Sequence, residues 1–155
     1  MITDHVRLAE EADIPVLLKL AENFMKSSPY RIMKFDRSKG KDFLRSVING
    51  PKIDSICLVA LDKGVVVGFI VGAATEPVFS SNKIAMELGW WIEPEHRGTR
   101  GSLLLYTAYE DWAYRVGCSH VQGAYLPGTS VDLDSFYKKR GYVQTESSYV
   151  KVLRV

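Results

Sequence analysis

Between Glu87 and Ser102 the chain passes from an apolar run, Leu88-Gly89-Trp90-Trp91-Ile92, through a basic segment that carries Arg97, Gly98, Thr99, Arg100 and Gly101, into helical spacing. That order predicts a strand stopped near Pro94, a short loop, and the first turn of a helix that runs on to Val116. A helix entered from such a loop leaves its first N–H groups without intrahelical partners, and its dipole favours an anion there. Arg97 and Arg100 add charge beside this seat, while Gly98 and Gly101 let backbone approach a ligand closely. The expectation is a phosphate site at a strand-to-helix turn.

The strand itself is predicted over Ile84 to Ile92. Strict alternation puts Ile84, Met86, Leu88, Trp90 and Ile92 on one face, and Ala85, Glu87, Gly89 and Trp91 on the other. Both faces are mainly apolar, as expected of a central strand covered by helices on both sides. Glu87 is the exception. A carboxylate in that setting is costly, and desolvation raises its pKa unless a cation answers it.

The remaining elements follow from periodicity. His5 to Leu8 reads as a first strand, and acidic residues from Glu10 to Asp13 suit a helix start. Ile14, Leu17, Leu18, Ala21, Phe24 and Met25 give the first helix its apolar face, and Ser27-Ser28-Pro29 ends it. Asp42 to Ile48 reads as a second helix with Phe43, Val47 and Ile48 buried, closed by Gly50-Pro51. Ile56 to Leu61 and Val65 to Ala73 form a hairpin across Asp62-Lys63-Gly64. Pro77 to Asn82 reads as a loop.

In the third helix Leu104, Leu105, Ala108, Tyr109, Trp112, Ala113 and Val116 share a face, with Gly117 past its end. Val121 to Leu126 reads as a strand ended by Pro127-Gly128, and Asp132 to Arg140 as a short helix closed by Gly141. Val143 and Tyr149 to Leu153 supply two last strands. Hairpins make part of the sheet antiparallel, while the strand–helix–strand unit favours parallel pairing, giving a mixed α/β sheet.

Length and composition exclude several classes of function. A chain of 155 residues is one domain of ordinary size, and 46% hydrophobic with 25% charged residues is ordinary for a globular protein. No apolar run approaches the roughly 18 residues of a membrane span, and the N-terminus lacks a signal-peptide pattern, so a cytoplasmic location is expected. A formal charge of +2 gives no argument for nucleic acid as a partner. Cys57 and Cys118 fit no metal or disulfide framework and read as buried thiols.

The loop Arg97-Gly98-Thr99-Arg100-Gly101-Ser102 resembles the acetyl-CoA-binding signature of the GNAT superfamily of N-acetyltransferases, written Arg/Gln-x-x-Gly-x-Gly/Ala. Arg97 takes its first position, Arg100 stands at the middle glycine, and Ser102 at the final Gly or Ala. A loop of this type after Trp-Trp resembles a branch often found in bacteriophage genomes. Phe136-Tyr137-Lys138-Lys139-Arg140-Gly141-Tyr142 is similar to the family's Φ-Tyr-x-x-x-Gly-Phe/Tyr segment. Both segments fall in the family's order and spacing, and the predicted element order matches the fold along nearly the whole chain. The resemblance implies a GNAT-like, mostly antiparallel sheet flanked by helices on both faces, in a single domain spanning residues 1–155.

It also implies a chemistry, in which a neutral amine attacks the thioester of acetyl-CoA. An amine with an ordinary lysine pKa of about 10.4 costs about 4–5 kcal/mol to deprotonate at pH 7, so a base is needed within reach. By position the resemblance implies Glu87 as that base and Tyr137 as the acid that protonates the leaving thiolate. A structural ion pair for Glu87 and a packed core position for Tyr137 remain open. Arg97, Gly98, Thr99, Arg100, Gly101 and Ser102 are implied around the pyrophosphate, with backbone near Trp91 and Ile92 on the pantetheine arm and no metal. His96 reads as a phosphate-side or surface residue, and Glu93 and Glu95 as solvent-exposed.

The acceptor implied is the amine of a small molecule or peptide, and the resemblance leaves room for a homodimer. In the family the acceptor side is lined by segments that here span Ser27 to Lys41 and Pro77 to Asn82. Arg31, Lys34, Arg37, Lys39 and Lys41, interleaved with Tyr30, Met33 and Phe35, suit an acidic or phosphate-bearing acceptor. A second reading stays open, that of a GNAT-fold CoA-binding or protein-interaction module with little turnover. It is suggested by Arg100 and Ser102, and by Ser130 and Leu133 where the family often has Asn and Ala.

Overall fold

The computed structural model describes residues 3–129 and 131–154, so Ser130 lies outside the described residues. Its strands are β1 (Val6–Leu8), β2 (Ser55–Asp62), β3 (Val65–Thr75), β4 (Ile84–Ile92) and β5 (His120–Gln122). Its helices are α1 (Ile14–Lys26), α2 (Arg37–Asn49), α3 (Arg100–Arg115) and α4 (Leu133–Lys139). The strands form one sheet in the order β1-β2-β3-β4-β5. The first three pairings are antiparallel and β4–β5 is parallel, which makes the expected mixed α/β sheet.

Two apolar layers cover this sheet. Leu105, Tyr106, Tyr109 and Trp112 of α3, with Tyr137 of α4, pack against Val6, Leu58, Ile70 and Ala85. On the other face Leu17, Leu18 and Leu20 of α1 and Leu44 and Val47 of α2 pack against Val59, Phe69, Val71 and Trp91. Among the described residues Tyr106, which the periodicity does not single out, is with Tyr109 the largest side chain with no exposed surface, whereas Leu104 only packs partly buried against this layer.

The expected faces of β4 hold only in part. Val71 pairs with Gly89 and Gly72 with Glu87, so Leu88 is an extra residue on its strand. This bulge resets the alternation. Trp90 and Ile92 therefore pack on the α3 layer together with Ala85, Trp91 packs on the α1 layer, and Leu88 is exposed.

Three other expectations are corrected. α2 begins at Arg37, where Asp36 Oδ1 accepts a hydrogen bond from Lys39 N at 2.9 Å; Gly40 then faces Leu18, Leu44 is buried and Phe43 is exposed. Val143 and Tyr149 to Leu153 are not strands. Tyr149, Val150, Val152 and Leu153 are exposed and in no ladder, because β-branched residues make a strand only where an edge and a covering layer meet them. Finally, β5 stops at Gln122 instead of running to Leu126, and this early stop shapes the site.

Candidate active site

The parallel ladder between β4 and β5 covers only Ile84 to Met86 and His120 to Gln122. Two residues further on, the backbone of Ala124 turns from the ladder to side chains. Its N–H donates to Glu87 Oε2 at 3.1 Å, and its carbonyl lies 3.1 Å from the Tyr137 hydroxyl, whose single proton it shares with Glu87 Oε2. Beyond that point the two chains part and leave a cleft of about 290 Å³. Glu87, Trp90, Trp91 and Ile92 of β4 form one wall, and Ala124, Leu126, Leu133 and Phe136 the other. Arg97, Gly98 and Ser102 close one end, and Phe24 and Ser28 lie on the α1 side.

Glu87 is the acidic group at the point where the strands part. Burial pushes its pKa up to about 7, against the pull of the hydrogen bonds from Ala124 and Tyr137. The Tyr137 hydroxyl lies 3.2 Å from Glu87 Oε2, while its ring packs against Tyr106 and Tyr142 in the α3 layer. Desolvation, together with the charge of Glu87, raises the Tyr137 pKa above the usual phenol value. The structure thus brings Glu87 and Tyr137 into contact, with Glu87 in the cleft wall and Tyr137 behind it. Among the described residues, the partners of Glu87 are the Ala124 N–H and the Tyr137 hydroxyl, and neither is a cation.

The loop before α3 is built largely by its own side chains. Thr99 caps the helix, its Oγ1 accepting from Ser102 N at 3.4 Å, and Ser102 Oγ donates to Thr99 O at 2.8 Å. Arg97 packs over the Trp91 ring, 4.8 Å from its centroid, and its Nε donates to the Ile92 carbonyl at 3.0 Å. Arg100 is exposed at the helix start.

The two glycines divide the role expected of them. Gly98 has φ +79° and nothing within 4 Å of where a Cβ would stand, so its backbone is open to a ligand. Gly101 instead faces protein. A Cβ there would lie 2.8 Å from the Leu61 carbonyl and 3.2 Å from that of His5, so its smallness seats α3 against the end of the sheet.

Nearby residues take structural duties. His96 Nδ1 lies 2.9 Å from Asp62 Oδ2, tying the loop to the β2–β3 hairpin. Glu95 is exposed, but Glu93 is half-buried and accepts from Asn23 Nδ2 at 2.6 Å, joining α1 to the end of β4. Cys57 is fully buried and Cys118 partly so.

The residues present fit CoA. An open backbone at Gly98, the positive end of a helix of four turns and the Arg97 guanidinium converge at one end of an apolar cleft. Among the described residues, the indole N–H groups of Trp90 and Trp91, two side chains that line the cleft, are buried without a hydrogen-bond acceptor. Sequence reasoning missed Phe24, Ala124, Leu126 and Phe136. Phe136 was signalled by its place beside Tyr137, but the Ala124 contribution is main-chain and leaves no trace in residue type.

Comparison with known proteins agrees with this architecture. The family model for the acetyltransferase (GNAT) family matches residues 20–142. No curated protein matches the sequence. Among solved structures, the aminoglycoside N-acetyltransferase AAC(6')-Iy is similar in complex with a CoA bisubstrate analogue, at 14% identity and TM-score 0.76 over 97% of each chain. The same enzyme in complex with CoA gives 0.75 at 14% identity, over 97% of this chain and 94% of that one.

A ribosomal-protein-alanine N-acetyltransferase from Brucella melitensis biovar Abortus 2308 is similar at 17% identity and TM-score 0.71, over 96% and 97% of the two chains. A glucosamine-6-phosphate N-acetyltransferase from Arabidopsis thaliana is similar at 13% identity and TM-score 0.72, over 96% and 97%. These likenesses speak to fold, and nothing in them favours the bacteriophage-type branch. Among the described residues, no helix is long and apolar enough to cross a membrane. With the family's segment covering most of the fold and its helix N-terminus standing at the mouth of the cleft, the chain belongs to the acetyltransferase (GNAT) family, whose acyl donor is acetyl-CoA.

Proposed function

We propose that the protein is an N-acetyltransferase that passes the acetyl group of acetyl-CoA to a primary amine on a small molecule or peptide, by direct attack on the thioester. The observation that carries this reading is the Glu87 carboxylate in the cleft wall, with a pKa of about 7 and the Tyr137 hydroxyl on its Oε2. A group of that pKa is half ionised at neutral pH, which suits a general base better than an exposed carboxylate. The other reading, a binding module, gives no use to a desolvated carboxylate at the parting of two strands.

Acetyl-CoA, when bound, supplies an activated acyl group and leaves as a thiol. Arg97, the Gly98 backbone and the N-terminus of α3 hold its phosphates, while the walls of the cleft exclude water. Glu87 takes one proton from the attacking amine as the N–C bond forms and the C–S bond breaks. For Tyr137 to give its proton to the departing sulfur, its hydroxyl must turn from the Ala124 carbonyl toward the cleft, and Glu87 then reprotonates it across the 3.2 Å contact. The net result is one proton moved from nitrogen to sulfur.

For the acceptor we propose an amine with an apolar body and a distant acidic or phosphate group. The α1 side of the cleft offers Phe24, Ser28 and Trp91, and Arg31, Lys34, Arg37 and Lys39 stand exposed in the segment that follows α1. A panel of phosphorylated, carboxylated and polycationic amines, scored by mass of the acetylated product, tests this. Turnover confined to polyamines would reject the acceptor class, and no acetylated product from any amine would reject the transferase reading.

A further inference from the structure

Past the end of β5 the chain carries a glycine, Gly123, between Gln122, which is fixed to Met86 by the parallel ladder, and Ala124, whose N–H and C=O meet Glu87 and Tyr137. We propose that Gly123 is a positioning residue of the acetyl transfer, its missing side chain being what lets the Tyr137 hydroxyl reach Glu87. This rests on the roles proposed above for that pair.

The argument is one of space. A Cβ at position 123 would stand 2.4 Å from the Tyr106 hydroxyl, 2.5 Å from Tyr137 Cε1 and 2.6 Å from the Tyr137 hydroxyl. Each distance is shorter than a carbon can tolerate, so rings or backbone must move. The rings have little room. Tyr106 has no exposed surface and packs with its centroid 4.7 Å from Trp90 and 5.2 Å from Phe136, and the Tyr137 ring lies 5.2 Å from Tyr142. The backbone is held on one side by β4 and on the other by Glu87. The least constrained movement is that of the Tyr137 hydroxyl away from the carboxylate.

A purely structural glycine and a positioning glycine differ in what they do to pH dependence. The titratable groups facing Glu87 are Tyr137 of α4, Tyr106 and Tyr109 of α3, and, just past α4, Tyr142, which faces the tyrosines. Of these, Tyr137 donates a hydrogen bond that favours the charged carboxylate. Moving it away removes that support, so the acid limb of the rate profile shifts to higher pH.

The test compares wild type, Gly123→Ala, Tyr137→Phe and the double variant by kcat, KM for acetyl-CoA, pH profile and Tm. Gly123→Ala is expected to lower kcat about tenfold or more, to leave KM for acetyl-CoA within about twofold, and to move the acid limb upward. Added to Tyr137→Phe, it is expected to cost less than about threefold further, because the group it acts through is already gone. If Gly123→Ala does not fold, the same comparisons are made on a Tyr106→Phe parent, which removes the nearest colliding atom.

Wild-type kcat with an unmoved limb in Gly123→Ala overturns the proposal, as does an undiminished loss in the Tyr137→Phe background. A near-native rate for Tyr137→Phe alone overturns instead the reading of Tyr137 on which the proposal stands.

Discussion

The hydroxyl of Tyr137 lies 3.2 Å from Oε2 of Glu87, although the two residues are fifty positions apart in the chain. The contact exists because β4 and β5 separate after Met86 and Gln122, and because α4 lays its one buried side chain across the gap. It couples a carboxylate that faces the cleft to a phenol that faces the core.

That coupling sets a pH dependence. With Glu87 raised to about 7, kcat/KM should climb with pH along a limb centred near that value, as the base ionises. The limb should vanish in Glu87→Gln. A profile of wild-type kcat/KM between pH 5 and 9 checks this, using an amine whose own titration lies outside the range.

Stability should respond with the opposite sign. Folding raises the Glu87 pKa from an ordinary 4.5 to about 7, so the native state binds the proton more tightly than the unfolded state. Stability from this group is full below pH 4.5 and is lost as pH rises through 7, by about 3 kcal/mol at 1.36 kcal/mol per unit. Glu87→Gln removes the penalty. Its Tm should equal or exceed that of wild type above pH 7, the excess shrinking toward pH 4.5. A carboxylate answered by a cation would give a large loss on the same substitution.

The loop before α3 separates binding from packing. Arg97→Ala should weaken CoA by about 1.5–3 kcal/mol in calorimetry, the range for a hydrogen bond to a charged group. It also removes the guanidinium from Trp91, so a small loss of Tm accompanies it. Unchanged CoA affinity would remove Arg97 from the phosphate site.

Gly101→Ala should behave differently. The new Cβ meets the Leu61 carbonyl at 2.8 Å, so the expected cost is about 1–3 kcal/mol of stability. CoA affinity of the folded protein should change little. Thermal unfolding and calorimetry on one preparation distinguish this from a direct ligand contact.

The order of elements through α4 was legible because α1, β2, β3, β4 and α3 each carry a long, clear period, and Pro94, Gly117 and Gly141 punctuate the chain. What sequence could not supply was register. The bulge at Leu88 exchanges the faces of Trp90 and Trp91 and has no mark in residue type. Val143 and Tyr149 to Leu153 have strand-like composition but no partner, a property of the sheet edge and not of the segment. Glu87 and Tyr137 were each conspicuous, one as a carboxylate in an apolar strand and the other through its motif. Their contact, like the parts played by Ala124 and Gly123, depends on where β5 ends.

The most direct measurement of the account is amine-dependent release of CoA thiol by Glu87→Gln, with CoA binding measured calorimetrically on the same sample. We expect the rate to fall by roughly 10²–10⁴ while CoA affinity stays at the wild-type value. A folded, CoA-binding variant that releases thiol at the wild-type rate would contradict the assignment of Glu87 as the base.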